Sequence, residues 1–400
     1  MTLLREVRKQ PTCVASAFGR LFYGADSRLY FSQVYLDDIQ SIGRCYQKND
    51  PTAEEASDIL DTDGGEILIQ DSGNILALIE FQRGVVAFCE RGTWYIKGDE
   101  SGFTATAYSV DKFSSEKIVG PKAYCAVGSD LMFGTSDSMF SISTDDFGNP
   151  RVTSLTDSTI RTRWKSFSSE DLLLHYNEKD KSIYCHKRFT GEILVLNLEV
   201  GGWYPWQIGT VSNSRVPDSI VYSTVDQRSY YVVRVGNEGG EPLTSWYLAV
   251  NDQESVSDYR DYGTQEYSSY LVTNYETLGN YTRNKGAPLV NVFFRKTETT
   301  VTTGVGEYFF DRPSSCSMSV QWDFRTSAKE ASRQIYNPVP RGWAPANDGV
   351  SSFDTGDTVV QFKDKLRGKG KAVQFRFDSV GSDAIEMLGF SVQYTAKGRM

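Results

Sequence analysis

Residues 64–98 read GGEILIQDSGNILALIEFQRGVVAFCERGTWYIKG. Four apolar runs stand in a row there: EILIQ (66–70), ILALIEF (75–81), GVVAFCE (84–90) and TWYIKG (93–98). Each run has the length of a strand and is too short for a free-standing helix. The breaks at 71–74, 82–84 and 91–92 each carry glycine, which accepts the positive φ of a tight turn. Strands this close in sequence and joined this tightly pair antiparallel. The stretch is therefore expected to be a four-stranded meander, the unit from which β-propellers are built.

The rest of the chain repeats the rhythm but not the letters. Further meanders are expected at 102–111 with 123–143 and 151–156, at 171–188 with 192–207, and at 219–236 with 244–250. Their spacing of roughly 40–50 residues is that of propeller blades. Strands at 13–19, 20–25 and 28–34 precede them, the last two forming a hairpin through Asp26-Ser27. The 23 Tyr and 22 Phe favour strands, and helix-period stretches are scarce. The fold class is thus all-β, with a propeller-like body of five or six blades over 13–250. Residues 1–12 are expected to form a basic arm. Residues 50–60 suit a short helix, with Asp50 as cap, Pro51 in the first turn, and Glu54 and Glu55 near its positive end.

At 251–267 the chain turns polar and acidic, as an inter-domain linker would. From 268 to 400 the strands alternate well but lie further apart, which suits a β-sandwich or barrel. In VQFRF (373–377), Val373, Phe375 and Phe377 fall on one face and Gln374 and Arg376 on the other.

Little in the chain suggests reactive chemistry. It has two histidines, His175 and His186, both in expected strands, and six scattered cysteines with no CxxC pair. No metalloprotease, nucleophile-elbow or Walker pattern occurs. Asp61-Thr62-Asp63-Gly64-Gly65 has part of a Ca²⁺ loop but lacks the distal glutamate, so a turn is the simpler account. Trp203 and Trp206 suit either a sugar or base platform or blade-edge packing. No catalytic residue, metal or cofactor is expected. The start of the chain lacks an apolar signal core, and the longest apolar runs, about five residues, cannot span a membrane. Synthesis in a cytoplasm is expected, with the chain staying there or leaving by a route that needs no signal, and without membrane insertion by the chain itself.

Charge is uneven. The net charge is −9, and residues 46–100 hold twelve Asp/Glu against four Lys/Arg. Residues 363–376 run the other way, with Lys363, Lys365, Arg367, Lys369, Lys371 and Arg376 against Asp364 alone. Two faces with different partners are expected.

Two blocks of sequence carry a family resemblance. One comprises VASAFGRLFYGADSRLYFSQV (14–34), CYQKNDPTAEEASDILDTDGGEILI (45–69), ILALIEFQRGVVAFCERGTWYI (75–96) and GFTATAYSVDK (102–112). The other comprises SSYLVTNYETLGN (268–280), VNVFFRKTET (290–299), SCSMSVQWDF (315–324), DTVVQFKDKLRGKGKAVQFRFDS (357–379) and LGFSVQYT (388–395). Together they resemble the nozzle proteins of short-tailed bacteriophages, also called tail tubular protein B. The resemblance implies a structural virion subunit in a ring of, typically, six copies at the distal end of the tail. Such a ring docks to the adaptor, is open to tail fibres, and lets double-stranded DNA leave through its lumen. The propeller would be the radial body and the C-terminal β-domain part of the platform. No catalytic residue carries over.

Within that reading, Glu54, Glu55, Asp58, Asp61 and Asp63 are candidates for an acidic channel lining that would repel phosphates. Lys363, Lys365, Arg367, Lys369 and Lys371 are expected on an exposed hairpin meeting a neighbouring subunit, the adaptor or DNA. Two other readings stay open: a propeller module that binds a receptor or glycan, and a tail-associated depolymerase.

Overall fold

The computed structural model describes residues 10–36, 39–45, 59–99, 102–145, 150–188, 190–207, 217–223, 225–235, 245–251, 260–261, 265–266, 269–279, 281–295, 299–302, 308–311, 315–325, 333–336, 359–365, 367–380 and 385–396. The helix expected at 50–60 and most of the arm expected at 1–12 lie outside them. The chain divides into two compact units, Met1–Asn251 and Asp252–Met400.

The first unit is a succession of antiparallel sheets, each built from consecutive strands. Strands β1 (Cys13–Ala17), β2 (Arg20–Ala25), β3 (Arg28–Phe31) and β4 (Gly65–Leu68) form the first sheet in that order. Strands β5 (Ile75–Phe81), β6 (Gly84–Cys89), β7 (Gly92–Lys97) and β8 (Ser109–Ser114) form the second. The third runs β9 (Tyr124–Val127), β10 (Asp130–Gly134), β11 (Met139–Thr144) and β12 (Pro150–Ser154). A short helix, α1 (Arg161–Phe167), leads to the fourth: β13 (Leu172–Asn177), β14 (Ser182–Lys187), β15 (Glu192–Asn197) and β16 (Gly202–Gln207). The fifth has three strands among the described residues: β17 (Pro217–Ser223), β18 (Arg228–Val235) and β19 (Ser245–Asn251). Five meanders in sequence order make a propeller-like body.

The stretch 64–98 does not form one sheet, as the sequence suggested. Its first run pairs backwards with β3, in the register Arg28↔Leu68, Leu29↔Ile67, Tyr30↔Glu66 and Phe31↔Gly65. Its other three runs take β8 as their fourth strand. The break at 71–74 is a passage between sheets. The Ile69 and Ile75 amides both donate to the β2–β3 turn, to the Ser27 carbonyl (3.0 Å) and the Asp26 carbonyl (2.7 Å). The segment 102–111, expected in the third sheet, likewise contributes to the second.

The sheets pack face to face, and β6 shows how. All six of its residues are buried. Val85, Ala87 and Cys89 join the core against the first sheet with Phe22, Leu29 and Ile67. Val86 and Phe88 point the opposite way, into a core with Leu131, Phe133 and Met139 of the third sheet. The Phe88 ring lies 5.2 Å from Phe133 and 5.6 Å from Tyr124. A strand buried on both faces reads as a continuous apolar run, as GVVAFC does. Between the third and fourth sheets α1 inserts Trp164, fully buried, whose indole N–H donates to the Thr135 carbonyl (2.9 Å).

The second unit is a β-sandwich. Strands β20 (Arg260–Asp261) and β21 (Gln265–Glu266) pair as a two-residue ladder inside the segment expected to be a linker. Strands β22 (Ser269–Val272), β23 (Lys285–Arg295), β24 (Thr299–Thr302), β25 (Tyr308–Asp311), β26 (Ser315–Trp322), β27 (Arg333–Tyr336), β28 (Val359–Asp364), β29 (Val373–Val380) and β30 (Glu386–Ala396) follow. One sheet has the order β22-β29-β26-β27 and the other β28-β23-β30, with β24-β25 as a separate hairpin. Val290, Val292 and Phe294 of one sheet meet Met318, Val320, Trp322, Phe375 and Phe377 of the other. The alternation read in VQFRF holds: Val373, Phe375 and Phe377 are buried, and Arg376 faces out to Asp378.

The two-faced burial of β6 makes Phe88 a sensitive position. Phe88→Ala is expected to cost roughly 3–5 kcal/mol, seen as a lowered midpoint in denaturant. A change within about 0.5 kcal/mol, as at a surface site, would contradict face-to-face packing.

Candidate functional site

Arg20 is the one charged residue of β2, in RLFYGA, and it is 3% exposed. Its guanidinium donates from Nη1 to the Ser32 carbonyl (2.9 Å) and the Asp63 carbonyl, and from Nη2 to the Asp61 carbonyl. Its cationic carbon sits 5.6 Å from the Phe31 ring centre and 5.8 Å from that of Phe103. Phe18, Phe22 and Tyr108 extend the aromatic group: Phe103 stacks on Phe18 at 5.8 Å and on Tyr108 at 5.6 Å. Burial pulls the Arg20 pKa down to about 10, opposed by the charges of Asp63 and Asp61, so it remains a cation at neutral pH.

The Asp61–Gly65 turn is built around this cation. Asp63 is 1% exposed, and its Oδ2 accepts the Leu60 amide (2.9 Å). Asp61 is exposed; its Oδ1 accepts from the Thr106 hydroxyl and its carbonyl also accepts the Ala105 amide (3.3 Å). Asp63 therefore does not line a channel surface, because its carboxylate is enclosed and engaged by the backbone. Of the acidic candidates Asp61 alone is both described and exposed; Glu54, Glu55 and Asp58 lie outside the described residues. Among the described residues no cluster of three or more His, Cys, Asp or Glu could hold a metal ion.

The histidines sit inside the blades. His175 on β13 places Nε2 3.4 Å from the Ser229 hydroxyl of the fifth sheet, beside Tyr184 and Tyr222. Burial lowers its pKa to about 4. His186 on β14 is fully buried. The six cysteines are free, and burial pushes Cys45, Cys89, Cys125 and Cys316 up to about 12, so these are thiols rather than nucleophilic thiolates at neutral pH. Trp203 and Trp206 are half-buried and pack inward: Trp203 meets Trp164 edge-on at 6.0 Å and Trp206 lies 5.9 Å from Tyr184. An open hollow of about 410 Å³ lies where the first sheet passes to the second, lined by Ser27, Gln70, Asp71, Ser72 and Arg91 among others.

The basic residues of the second unit are exposed: Lys363, Lys365, Arg367, Lys369 and Lys371. They do not form a hairpin. β28 and β29 belong to different sheets, so 365–372 is a crossover between the two layers of the sandwich. Among the described residues no helix is long and apolar enough to cross a membrane.

No family model matches the chain, and no curated protein does either. Solved structures offer distant likenesses. The β-propeller domain of Cps50 (Swd1) from Myceliophteria thermophila is 11% identical, covering 60% of this chain and 71% of that one, with a TM-score of 0.31. A protein from Lactobacillus plantarum is 12% identical, covering 69% and 79%, with a TM-score of 0.36. At such scores these likenesses carry no argument. The propeller-like fold rests on the succession of antiparallel meanders in the first unit.

Sequence reasoning missed Arg20. The one available signal is a cation inside an apolar strand, and its acceptors are backbone carbonyls, which leave no mark in the side-chain pattern. Replacing it should be costly. Arg20→Met removes the guanidinium donor from the Ser32, Asp61 and Asp63 carbonyls and is expected to destabilise the protein by roughly 3–5 kcal/mol. Asp61→Asn, which keeps the carbonyl, should cost under about 1 kcal/mol. Equal effects would show that the carboxylate, not the carbonyl, matters.

His175 makes a separate pH prediction. Its folded pKa lies below its unfolded value, so the unfolded chain takes up the proton first and stability falls as pH drops from about 6.5 to about 4. The loss from this residue is up to roughly 3 kcal/mol. His175→Gln should flatten that part of a melting-temperature profile; an unchanged slope would place the acid sensitivity elsewhere.

Proposed function

We propose that this chain is a structural subunit of a virion tail: a nozzle protomer of a short-tailed bacteriophage, assembled as a ring of about six copies. It would dock to the adaptor, accommodate tail fibres, and serve as conduit and gate for DNA, without catalysing a reaction.

One observation carries the reading. The strings behind the family resemblance lie far apart in sequence: 14–34, the turn at 61–65, and 102–108. They meet in one place, where Arg20 holds the carbonyls of Asp61 and Asp63 beneath Phe31 and Phe103. Residues from three of the resemblance strings are thus spent on joining the first sheet to the loop that precedes β8. That use suits a load-carrying wedge of a ring better than a reaction centre. Stiffness follows from blades buried on both faces.

A second reading, a propeller module that binds a receptor or glycan, is supported by the propeller-like fold itself and by the polar hollow lined by Ser27, Gln70, Asp71, Ser72 and Arg91. Light scattering and negative-stain electron microscopy of the purified chain, alone and with portal–adaptor complexes, separate the two. The nozzle reading expects rings of about six times the 44.9 kDa protomer, seated on the adaptor. Protomers that stay at 44.9 kDa with the adaptor present would turn the conclusion to the ligand module.

A further inference from the structure

The crossover at 365–372 is cationic outside and fixed from inside. Lys363, Lys365, Arg367, Lys369 and Lys371 are exposed. The nearby carboxylates are Asp323 and Asp364, both half-buried, and Glu276, exposed. Beneath the chain, the Trp322 indole N–H donates to the Arg367 carbonyl (3.1 Å). Asp323 Oδ1 accepts the amides of Lys371 (2.6 Å) and Ala372 (3.1 Å). Lys285 and Gly370 exchange backbone hydrogen bonds of 2.8 and 3.0 Å. The Lys285 side chain, 1% exposed, donates to the carbonyls of Thr277 and Lys371.

The glycines of RGKGK follow from this close approach. Gly368 has φ +103°, and a Cβ there would lie 2.5 Å from Trp322 Nε1. A Cβ on Gly370 would lie 2.8 Å from the Asp323 carboxylate. Asp323 thus spends an oxygen on the backbone of the loop. Next to it, Phe324 is 68% exposed, and its ring centre is 3.9 Å from that of Tyr275.

We propose that this face binds the phosphodiester backbone of nucleic acid, with the Phe324–Tyr275 pair as a stacking surface where bases are unpaired. Two features favour nucleic acid over an acidic protein face. Four of the five cations are lysine, which is depleted at protein–protein contacts and common at phosphates. Cations on a fixed backbone beside an exposed ring are the combination that sequence-tolerant strand binding uses. The inference concerns the purified chain and stands apart from the nozzle reading, so either can fail without the other.

The test is fluorescence anisotropy of the full chain with a labelled duplex and its single strand over a salt series. Binding to both is expected, with log K falling linearly against log salt. Each lost duplex phosphate contact lowers the slope by about 0.9. The triple variant Arg367→Gln, Lys369→Gln, Lys371→Gln should therefore reduce it by about 3 and weaken binding on the order of tenfold or more. Phe324→Ala should weaken the single strand about fivefold or more and spare the duplex. Gly368→Ala keeps every charge but displaces the loop from Trp322, and should also weaken binding. Unchanged thermal unfolding of the triple variant shows that the fold is intact. No binding by the wild type, or an unchanged slope in the triple variant, overturns the proposal. So does loss of self-association by the triple variant when the wild type ignores DNA, which would make the face a contact between copies.

Discussion

One buried guanidinium organises the first unit. Removing an arginine from water costs several kcal/mol unless its donors find acceptors. Here the acceptors are three backbone carbonyls, of Ser32, Asp61 and Asp63. Arg20 Nε makes no hydrogen bond among the described residues; the rings of Phe31 and Phe103 lie against the cation instead. The contact fixes where the chain must be when it returns to the first sheet as β4, and that return places β5 at the start of the next sheet. The nearby acids matter in two ways: their backbone oxygens hold the cation, and their charge favours its protonated form.

From that joint onward the body extends by one repeated physical solution. Each inner sheet is covered on both faces, so its strands can be apolar throughout and each is stabilised by two neighbours. The joints differ in detail. The first two sheets meet through Phe22, Leu29 and Val85, the second and third through Phe88 and Phe133, and the third and fourth around Trp164. The fourth and fifth meet at a polar contact, His175 with Ser229. That joint lies where acid would protonate a histidine that folding keeps neutral.

Strand positions were legible in the sequence because alternation and apolar runs report burial directly. VQFRF shows its buried face without any knowledge of its partner. The grouping of strands into sheets was legible only in part: 171–188 with 192–207, and 219–236 with 244–250, form single sheets as expected, but the grouping around 64–111 differs. The turn Asp71–Asn74 has the composition of a hairpin turn, yet it crosses between sheets; the difference lies in the amides of Ile69 and Ile75 bonding to residues 26–27. The basic crossover was misread as a hairpin for the same reason. β28 pairs with β23 and β29 with β26, and such long-range choices are written in no local pattern. Exposure of the cations was legible; the fixing of their backbone by Trp322, Asp323 and Lys285 was not. The acidic string was legible as a turn, while the enclosure of Asp63 depended on an arginine more than forty residues away.

The central claim is that Arg20 makes β2, the 60–65 turn and the 102–108 loop a single cooperative element. Hydrogen exchange on the intact protein tests it most directly, since segments that open together share one opening free energy. The account predicts that amides of 21–32, 60–65 and 103–107 are protected to the same degree and lose protection together in mild denaturant. Exchange of 60–65 at the rate of an exposed turn, with β2 still protected, would contradict it.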